Sequence, residues 1–185
     1  MRKFLLITGT SGGGKSYIEK LLVENNHPHI KFHKLLQVTT RAKRDDEDPY
    51  IFLTKKEYDN ISDTLLAKTN FHGNFYGTQD TSKLKDDDGK LTINTVVVNR
   101  LGYDNMIKDL KEKYPDSFDL MTIRITNDSP VERDSRDQEF ITKEHESLND
   151  IVDMDFFNSP DKWLSADDII KGLYEREFIY ELESI

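Results

Sequence analysis

A glycine-rich loop carries the clearest chemical signal in this sequence. The pattern G-x-x-x-x-G-K-[ST] is matched in full by the run Gly9-Thr10-Ser11-Gly12-Gly13-Gly14-Lys15-Ser16. Glycines allow successive backbone N–H groups to point at one anion, and the N-terminus of a following helix adds its dipole. In such loops the lysine neutralises the β- and γ-phosphates of a nucleoside triphosphate, and the hydroxyl binds Mg²⁺. The loop therefore predicts that Lys15 and Ser16 bind a nucleoside triphosphate with Mg²⁺, but it does not identify the acceptor.

A second group of residues has the chemistry of a site for a phosphate dianion. Arg41 and Arg44 lie three positions apart, and Glu47 and Tyr50 follow them. Guanidinium groups bind phosphate oxygens in pairs, and a phenol hydroxyl adds another hydrogen-bond donor. Considered alone, this group is explained equally well by a solvated charged loop, so its interpretation depends on the rest of the sequence.

The elements that must position these residues are those of an α/β fold. Phe4–Ile7 is a continuous apolar run that ends at the glycine-rich loop, which is typical of a parallel strand buried on both faces. Ile18, Leu21 and Leu22 then follow at helical spacing. Further strands are predicted at Leu91–Val98, Leu120–Thr126 and Val152–Phe157, and further helices before Pro115 and from Ser165 to about Leu182. The pattern predicts a parallel sheet flanked by helices.

The segment between Leu35 and Asp88 interrupts this pattern. Tyr50–Leu53 is predicted to be a strand, and Thr54-Lys55-Lys56-Glu57 matches the capping box that begins a helix. His72–Gly77 combines turn residues with two aromatic side chains. We therefore expect a small inserted α+β subdomain at about residues 37–89, within a core formed by residues 1–36 and 90–185.

Composition disfavours several classes of protein. Among 185 residues, Asp and Glu number 35 against 26 Lys and Arg, and the net charge of −9 disfavours a general nucleic-acid binder. Cysteine is absent, which excludes disulfides, thiolate metal sites and a cysteine nucleophile. The longest apolar runs, such as Phe4–Ile7, are too short to cross a membrane. We therefore expect one cytoplasmic domain, a monomer or homodimer, without nucleic-acid or membrane partners.

Three motifs in order resemble those of the guanylate kinase family. Behind the phosphate loop come T-T-R-x-x-R-x-x-E from Thr39 to Glu47, then Tyr50-x-Phe52, then the run from His72 to Thr78 that contains G-N-F-Y-G. The resemblance covers roughly residues 3–80 and is weaker beyond them. It implies a P-loop kinase that phosphorylates a nucleoside monophosphate with ATP and Mg²⁺. It also implies that the insert binds the monophosphate and that a short lid lies at about residues 129–150.

The resemblance assigns roles to individual residues. It implies that the acceptor's phosphate is bound by Arg41, Arg44, Tyr50 and Tyr76, with Glu47 orienting this group. In the lid, Arg133 and Arg136 are the candidates for closing over the phosphoryl group in transfer, although their spacing is tighter than the family's. Surface charge is the alternative explanation of these two arginines.

The positions that read guanine in the family are changed in this chain. Val38 precedes T-T-R, where the family has a serine, and Ala67 replaces the glutamate that accepts from guanine N1–H and N2–H₂. Asn99 replaces the second of two acids after the middle strand, and Thr78 keeps its usual polar character. A base pocket formed by these four residues leaves donors of guanine unpaired, so we expect a base preference altered from guanine.

Two other functions fit parts of the sequence. A non-catalytic binding module of the same fold would tolerate the loss of the base-reading acids, but it has no use for an intact Gly14-Lys15-Ser16. A P-loop kinase that acts on another phosphorylated small molecule would use the same phosphate-binding residues. A nucleoside monophosphate kinase explains the most features, because it needs bound phosphates, excluded water and neutralised charge, and no covalent nucleophile.

Overall fold

The computed structural model describes residues 1–10, 12–43, 49–127, 143, 146–159 and 161–180. In these ranges the strands are β1 (Arg2–Thr8), β2 (Ile30–Lys34), β3 (Gln37–Thr39), β4 (Ile51–Phe52), β5 (Leu65–Phe71), β6 (Asn74–Gln79), β7 (Leu91–Val97), β8 (Phe118–Asn127) and β9 (Met154–Asn158). The helices are α1 (Lys15–Glu24), α2 (Lys55–Ile61), α3 (Arg100–Lys113) and α4 (Ala166–Glu175), and a short 3-10 turn covers Ser62–Thr64.

The larger sheet is parallel throughout and has the strand order β2-β7-β1-β8-β9. Its central strand β1 is buried on both faces, which explains the continuous apolar run from Phe4 to Ile7. Leu5 and Ile7 pack against α1 and α4, whereas Phe4 and Leu6 pack against α3. This layering confirms the predicted α/β class, a parallel sheet flanked by helices.

The second sheet is mixed, has the order β4-β3-β6-β5, and takes its four strands from residues 37–79. β5 and β6 form an antiparallel hairpin that turns at His72 and Gly73, both with positive φ. Beside the sheet, α2 begins with the capping box predicted at Thr54 and Glu57, in which each side chain accepts from the other residue's backbone N–H. Tyr58 of α2 fills the apolar core of this sheet.

The last helix ends earlier than the sequence predicts. α4 ends at Glu175 rather than near residue 182. Glu177 adopts a positive φ of 55°, and the Phe178 N–H bonds back to the Leu173 carbonyl oxygen at 3.0 Å. This reversal buries Phe178 and Ile179 in the main core. These apolar residues therefore belong to a buried turn and not to the helical stripe.

Part of the expected organisation lies outside the described residues. Of the lid expected at residues 129–150, the structure describes residue 143 and residues 146–150. The lid and the domain boundaries therefore stay predictions. Within the described ranges, no helix combines the length and the apolar character needed to cross a membrane.

Candidate active site

The phosphate loop joins the end of β1 to the start of α1 and is tightly packed. Gly9 has a φ of 131°, and a Cβ there would lie 2.1 Å from the Ile125 carbonyl oxygen of β8, so the position requires glycine. Gly14 has a φ of 92° and is the N-cap residue of α1. The first turn of α1 contains no acidic residue, and no side chain caps it. An uncapped helix N-terminus without nearby acidic side chains is a favourable place for an anion.

Lys15 and Ser16 begin α1 at the edge of this loop. The Lys15 ammonium group donates to the carbonyl oxygens of Gly9 at 2.8 Å and Thr10 at 2.7 Å, so the side chain lies across the loop. Ser16 is exposed on the first turn of the helix, and Ser11 lies outside the described residues. A cation, a hydroxyl and a helix N-terminus thus meet in one loop, which is a chemistry that binds phosphates together with Mg²⁺.

Two asparagines that were not predicted as site residues lie against this loop, and one of them is hydrogen-bonded to it. Asn127, the last residue of β8, donates from its amide to the Gly12 carbonyl oxygen at 3.0 Å. Asn158, the last residue of β9, is 3% exposed, and its amide oxygen accepts from the Leu164 N–H at 3.1 Å. A Cβ on Gly14 would lie 2.8 Å from the amide nitrogen of Asn158. Ligand sites form at the carboxyl ends of parallel strands, so the position of these asparagines was the signal that could have identified them from the sequence.

A cavity of about 310 Å³ lies between the phosphate loop and the second sheet. Lys15 lines it from the loop, Tyr76 lines it from β6 of the second sheet, and Tyr50 lines it from the segment before β4. Ala67 of β5 and Asn99, the N-cap residue of α3, line it as well. The cavity therefore brings the phosphate loop together with residues from both groups that the sequence analysis assigned to an acceptor.

Arg41, Tyr50 and Tyr76 come together beside this cavity. The rings of Tyr50 and Tyr76 meet edge to face with centroids 5.9 Å apart, and the Arg41 guanidinium lies 5.6 Å from the Tyr50 ring centroid. Thr39 shapes the turn that carries the arginine, because its hydroxyl accepts from the Arg41 N–H at 3.1 Å. A guanidinium and two phenol groups supply the donors that a phosphate dianion requires.

Four further residues expected at the site lie outside the described residues. They are Arg44 and Glu47, expected beside Arg41, and the lid arginines Arg133 and Arg136. Their roles stay predictions.

The structure places Val38 away from the cavity, contrary to its expected place in a base pocket. Val38 is fully buried and packs with Tyr58 and Leu65 in the core of the second sheet. Its neighbour Gln37 lines the cavity instead and pairs in register with Thr78. Side chains alternate between the two faces of a strand, so an error of one position in β3 exchanges a core residue for a cavity residue.

The two amide side chains in the cavity have defined orientations. The Asn99 amide oxygen accepts from the Gly102 N–H at 2.8 Å and caps α3, which leaves the NH₂ group of Asn99 to face a ligand. The Gln37 amide nitrogen donates to the Val97 carbonyl oxygen at 3.0 Å, which leaves the Gln37 carbonyl oxygen. Thr78 is 1% exposed and lines the same cavity. The cavity therefore contains two amide side chains and the hydroxyls of Thr69 and Thr78, all of which can pair with a ligand.

A buried ion pair joins α1 to the neighbouring strand. Glu19 of α1 is 2% exposed, and its carboxylate lies 3.0 Å from the ammonium group of Lys34 in β2. Burial raises the pKa of Glu19, and the positive charge of Lys34 opposes that rise.

Among the described residues, no three His, Cys, Asp or Glu side chains cluster as metal ligands. The exposed hydroxyl of Ser16, adjacent to Lys15, suits Mg²⁺ that is bound together with phosphates.

Comparison with known families gives one match to the first part of the chain. The family model described as guanylate kinase matches residues 1–85, which include the phosphate loop and most of the second sheet. Similarity to individual relatives extends past residue 85, in one case over 154 residues.

Two curated relatives illustrate that similarity. The guanylate kinase of Mesomycoplasma hyopneumoniae (strain 7448) is 32% identical over 154 residues, which cover 80% of this chain and 76% of the relative. The guanylate kinase of Brucella abortus (strain 2308) is 37% identical over 92 residues, and the match spans only 41% of its length. Among solved structures, guanylate kinase from Anaplasma phagocytophilum superposes with a TM-score of 0.55 at 16% identity, covering 97% of this chain and 88% of that one. The structural likeness supports the fold.

Proposed function

The chain belongs to the guanylate kinase family, and on this premise we propose that it transfers the γ-phosphoryl group of ATP to a nucleoside monophosphate. The observation that carries the proposal is that Lys15 of the phosphate loop lines the same cavity as Tyr50 and Tyr76. A donor phosphate at the loop and an acceptor phosphate at the tyrosines would meet inside one cavity, as in-line transfer requires.

The donor side of the proposed site is the phosphate loop. Its backbone N–H groups and the first turn of α1 would bind the phosphates of ATP, through Gly9, Thr10, Ser11, Gly12, Gly13 and Gly14. The Lys15 ammonium would exchange its carbonyl partners for the β- and γ-phosphates. Mg²⁺ held by the Ser16 hydroxyl and by phosphate oxygens would neutralise charge on the transferring group.

The acceptor side uses the arginine and tyrosine group beside the cavity. Arg41 would bind the acceptor's phosphate with its guanidinium, and the hydroxyls of Tyr50 and Tyr76 would add donors. We propose that Arg44 joins this group and that Arg133 and Arg136 stabilise the phosphoryl group during transfer. No covalent nucleophile is required, because positioning and charge neutralisation account for this reaction.

The base end of the cavity is the part lined by Ala67, Asn99, Gln37 and Thr78. Its side chains support a nucleobase other than guanine. Guanine presents two adjacent donors, N1–H and N2–H₂, which require acceptors. Ala67 has no polar side chain to accept from these donors. The Asn99 amide oxygen accepts the capping bond of α3, so the NH₂ group of Asn99, which is a donor, remains for a base. Among the described side chains that line the cavity, the Gln37 carbonyl and the Thr69 and Thr78 hydroxyls can accept, and none is a carboxylate. A base with an exposed acceptor beside a single donor would fit these groups better.

A coupled assay of ADP formation tests the proposed activity. With ATP, Mg²⁺ and each nucleoside monophosphate in turn, we expect ADP to form only when a monophosphate is present, and the matching diphosphate to accumulate. ATP hydrolysis that no monophosphate stimulates would contradict the proposal. Monophosphate binding without any transfer would favour a non-catalytic module of the same fold.

A further inference from the structure

The wall of the cavity at Ala67 is formed by a β-bulge with an unusual backbone. Along the β5–β6 pairing, Leu66 is opposite Thr78 and Thr69 is opposite Tyr76, so two residues of β5 face one residue of β6. Ala67 has a φ of 51°, in the left-handed region that alanine rarely adopts. Bulges of this kind redirect side chains and are frequent beside active sites.

Helix α3 binds both residues of the bulge. The Asp109 carboxylate accepts from the Ala67 N–H at 2.7 Å, and the Asn105 amide donates to the Lys68 carbonyl oxygen at 2.8 Å. These side chains provide partners for the Ala67 N–H and the Lys68 carbonyl at the point where the register of the strand pair shifts. The contact continues into the core, because Leu66 and Ala67 belong to the same apolar cluster as residues of α3.

The same helix also carries a second part of the cavity wall. α3 begins at its N-cap residue Asn99, and Gly102 in its first turn lines the cavity. One helix therefore holds Asn99 at its start and Ala67 through Asp109, further along. The distance between Ala67 and Asn99, and with it the room for a base, therefore depends on how the bulge is bound to α3.

We propose that Asp109 and Asn105 are positioning residues that set the base selectivity of the acceptor site, an inference that rests on the proposed transfer to a nucleoside monophosphate. Neither residue is among those that line the cavity, and their described side-chain hydrogen bonds go to Ala67 and Lys68. Releasing the bulge would change the place of Ala67 relative to Asn99. The phosphate loop and Arg41 lie outside the bulge, whereas Tyr76 pairs with Thr69 at its edge.

Three variants of α3 test this proposal in the full chain. Asp109→Ala removes the acceptor of the Ala67 N–H, Asp109→Asn keeps an amide oxygen there, and Glu112→Ala changes an exposed carboxylate of the same helix. For each variant, KM and kcat are measured with every monophosphate and with ATP, and monophosphate affinity is measured by calorimetry.

We expect Asp109→Ala to raise the acceptor KM about tenfold, by different factors for different bases, because a half-buried N–H loses its partner. The KM for ATP should change by less than about twofold, since the phosphate loop is not touched. Asp109→Asn should restore most of the affinity, and Glu112→Ala should match the wild type. A general loss of stability would reduce activity with all bases equally, so the ratio between bases separates positioning from destabilisation.

Equal kinetics and equal calorimetric affinities in Asp109→Ala and the wild type would overturn the inference. So would a loss that is the same for every base and is not restored by Asp109→Asn. If Asp109→Ala does not fold, Asn105→Ala gives the same test through the Lys68 carbonyl. A wild-type chain that neither binds nor phosphorylates any monophosphate would instead contradict the proposed function.

Discussion

At the scale of single residues, the charge of Lys15 is expected to have the most direct part in transfer. Lys15→Ala should abolish ATP-dependent transfer without unfolding the protein, because its described hydrogen bonds go to loop carbonyls and not to core groups. Transfer is measured by the coupled assay and folding by thermal denaturation. Lys20→Ala, at an exposed position of α1, is the matched control and should keep full activity. Turnover near that of the wild type in Lys15→Ala would contradict the phosphate-loop assignment.

Arg41 gives a second prediction at this scale. Arg41→Ala should weaken every monophosphate by a similar factor, because the guanidinium contacts the phosphate that all of them share. A hydrogen bond to a charged group contributes about 1.5–3 kcal/mol, so the loss should be about tenfold or more in affinity. Calorimetric titration of several monophosphates measures it, with the exposed Lys56→Ala as the control. A change of base preference at constant overall affinity would argue against the phosphate role.

Residue types and spacing predicted the place of the phosphate loop in the fold better than they predicted which side chains line the cavity. The phosphate loop is a continuous motif, so its geometry follows from local sequence. The side chains at the base end depend on which face of β3 is turned to the cavity. Val38 packs against Tyr58 in the core of the second sheet, so Gln37 lines the cavity instead. The orientation of the Asn99 amide depends on a capping bond that forms only once α3 is in place.

At the scale of elements, the start of α4 shows where local sequence is sufficient, because Ser165 and Asp168 form a capping box there. Ser165 accepts from the Asp168 N–H, and the Asp168 carboxylate accepts in return from the Ser165 N–H at 3.0 Å. Bonds from the backbone N–H and the hydroxyl of Ser165 hold the pKa of Asp168 below its ordinary value. A carboxyl with a lowered pKa stabilises the fold above its ordinary pKa, and this contribution is lost as pH falls through the lowered pKa.

Ser165→Ala should therefore destabilise the protein at neutral pH by about 1 kcal/mol. The difference from the wild type should narrow as pH falls toward the lowered pKa of Asp168 and its carboxylate takes up a proton. Urea unfolding at about pH 7 and about pH 3 measures both effects. Asp167→Asn removes a charge from the same turn and leaves the capping pair intact, so it is the control. An unchanged unfolding free energy in Ser165→Ala at neutral pH would show that the cap does not support α4.

Other elements escaped prediction for identifiable reasons. β3 has three residues, too few for a period to be visible. β5 begins with Leu65, Leu66 and Ala67, all buried, because the bulge interrupts the alternation that marks a strand. The end of α4 was placed too late because Phe178 and Ile179 are apolar but belong to a turn. In each case a tertiary contact decides what local pattern leaves open.

At the scale of the whole molecule, the two sheets define the site. The parallel sheet carries the phosphate loop at the end of β1, the second sheet carries Tyr76, and α3 joins the two through the bulge at Ala67. The parallel sheet was predictable because Phe4–Ile7 reads as a strand buried on both faces. The cavity was not predictable, since its walls come from segments far apart in the chain and meet only in the folded protein.

The proposed activity is phosphoryl transfer to a nucleoside monophosphate at a base end that is not built for guanine. The most direct measurement is kcat/KM for phosphoryl transfer from ATP to each ribo- and deoxynucleoside monophosphate. We predict efficient transfer to at least one monophosphate other than GMP or dGMP, with no strong preference for guanine, because Ala67 and Asn99 offer guanine no acidic acceptor. A preference for GMP or dGMP above about 10³-fold over every other base would contradict the claim, since discrimination of that size requires polar groups built for that base.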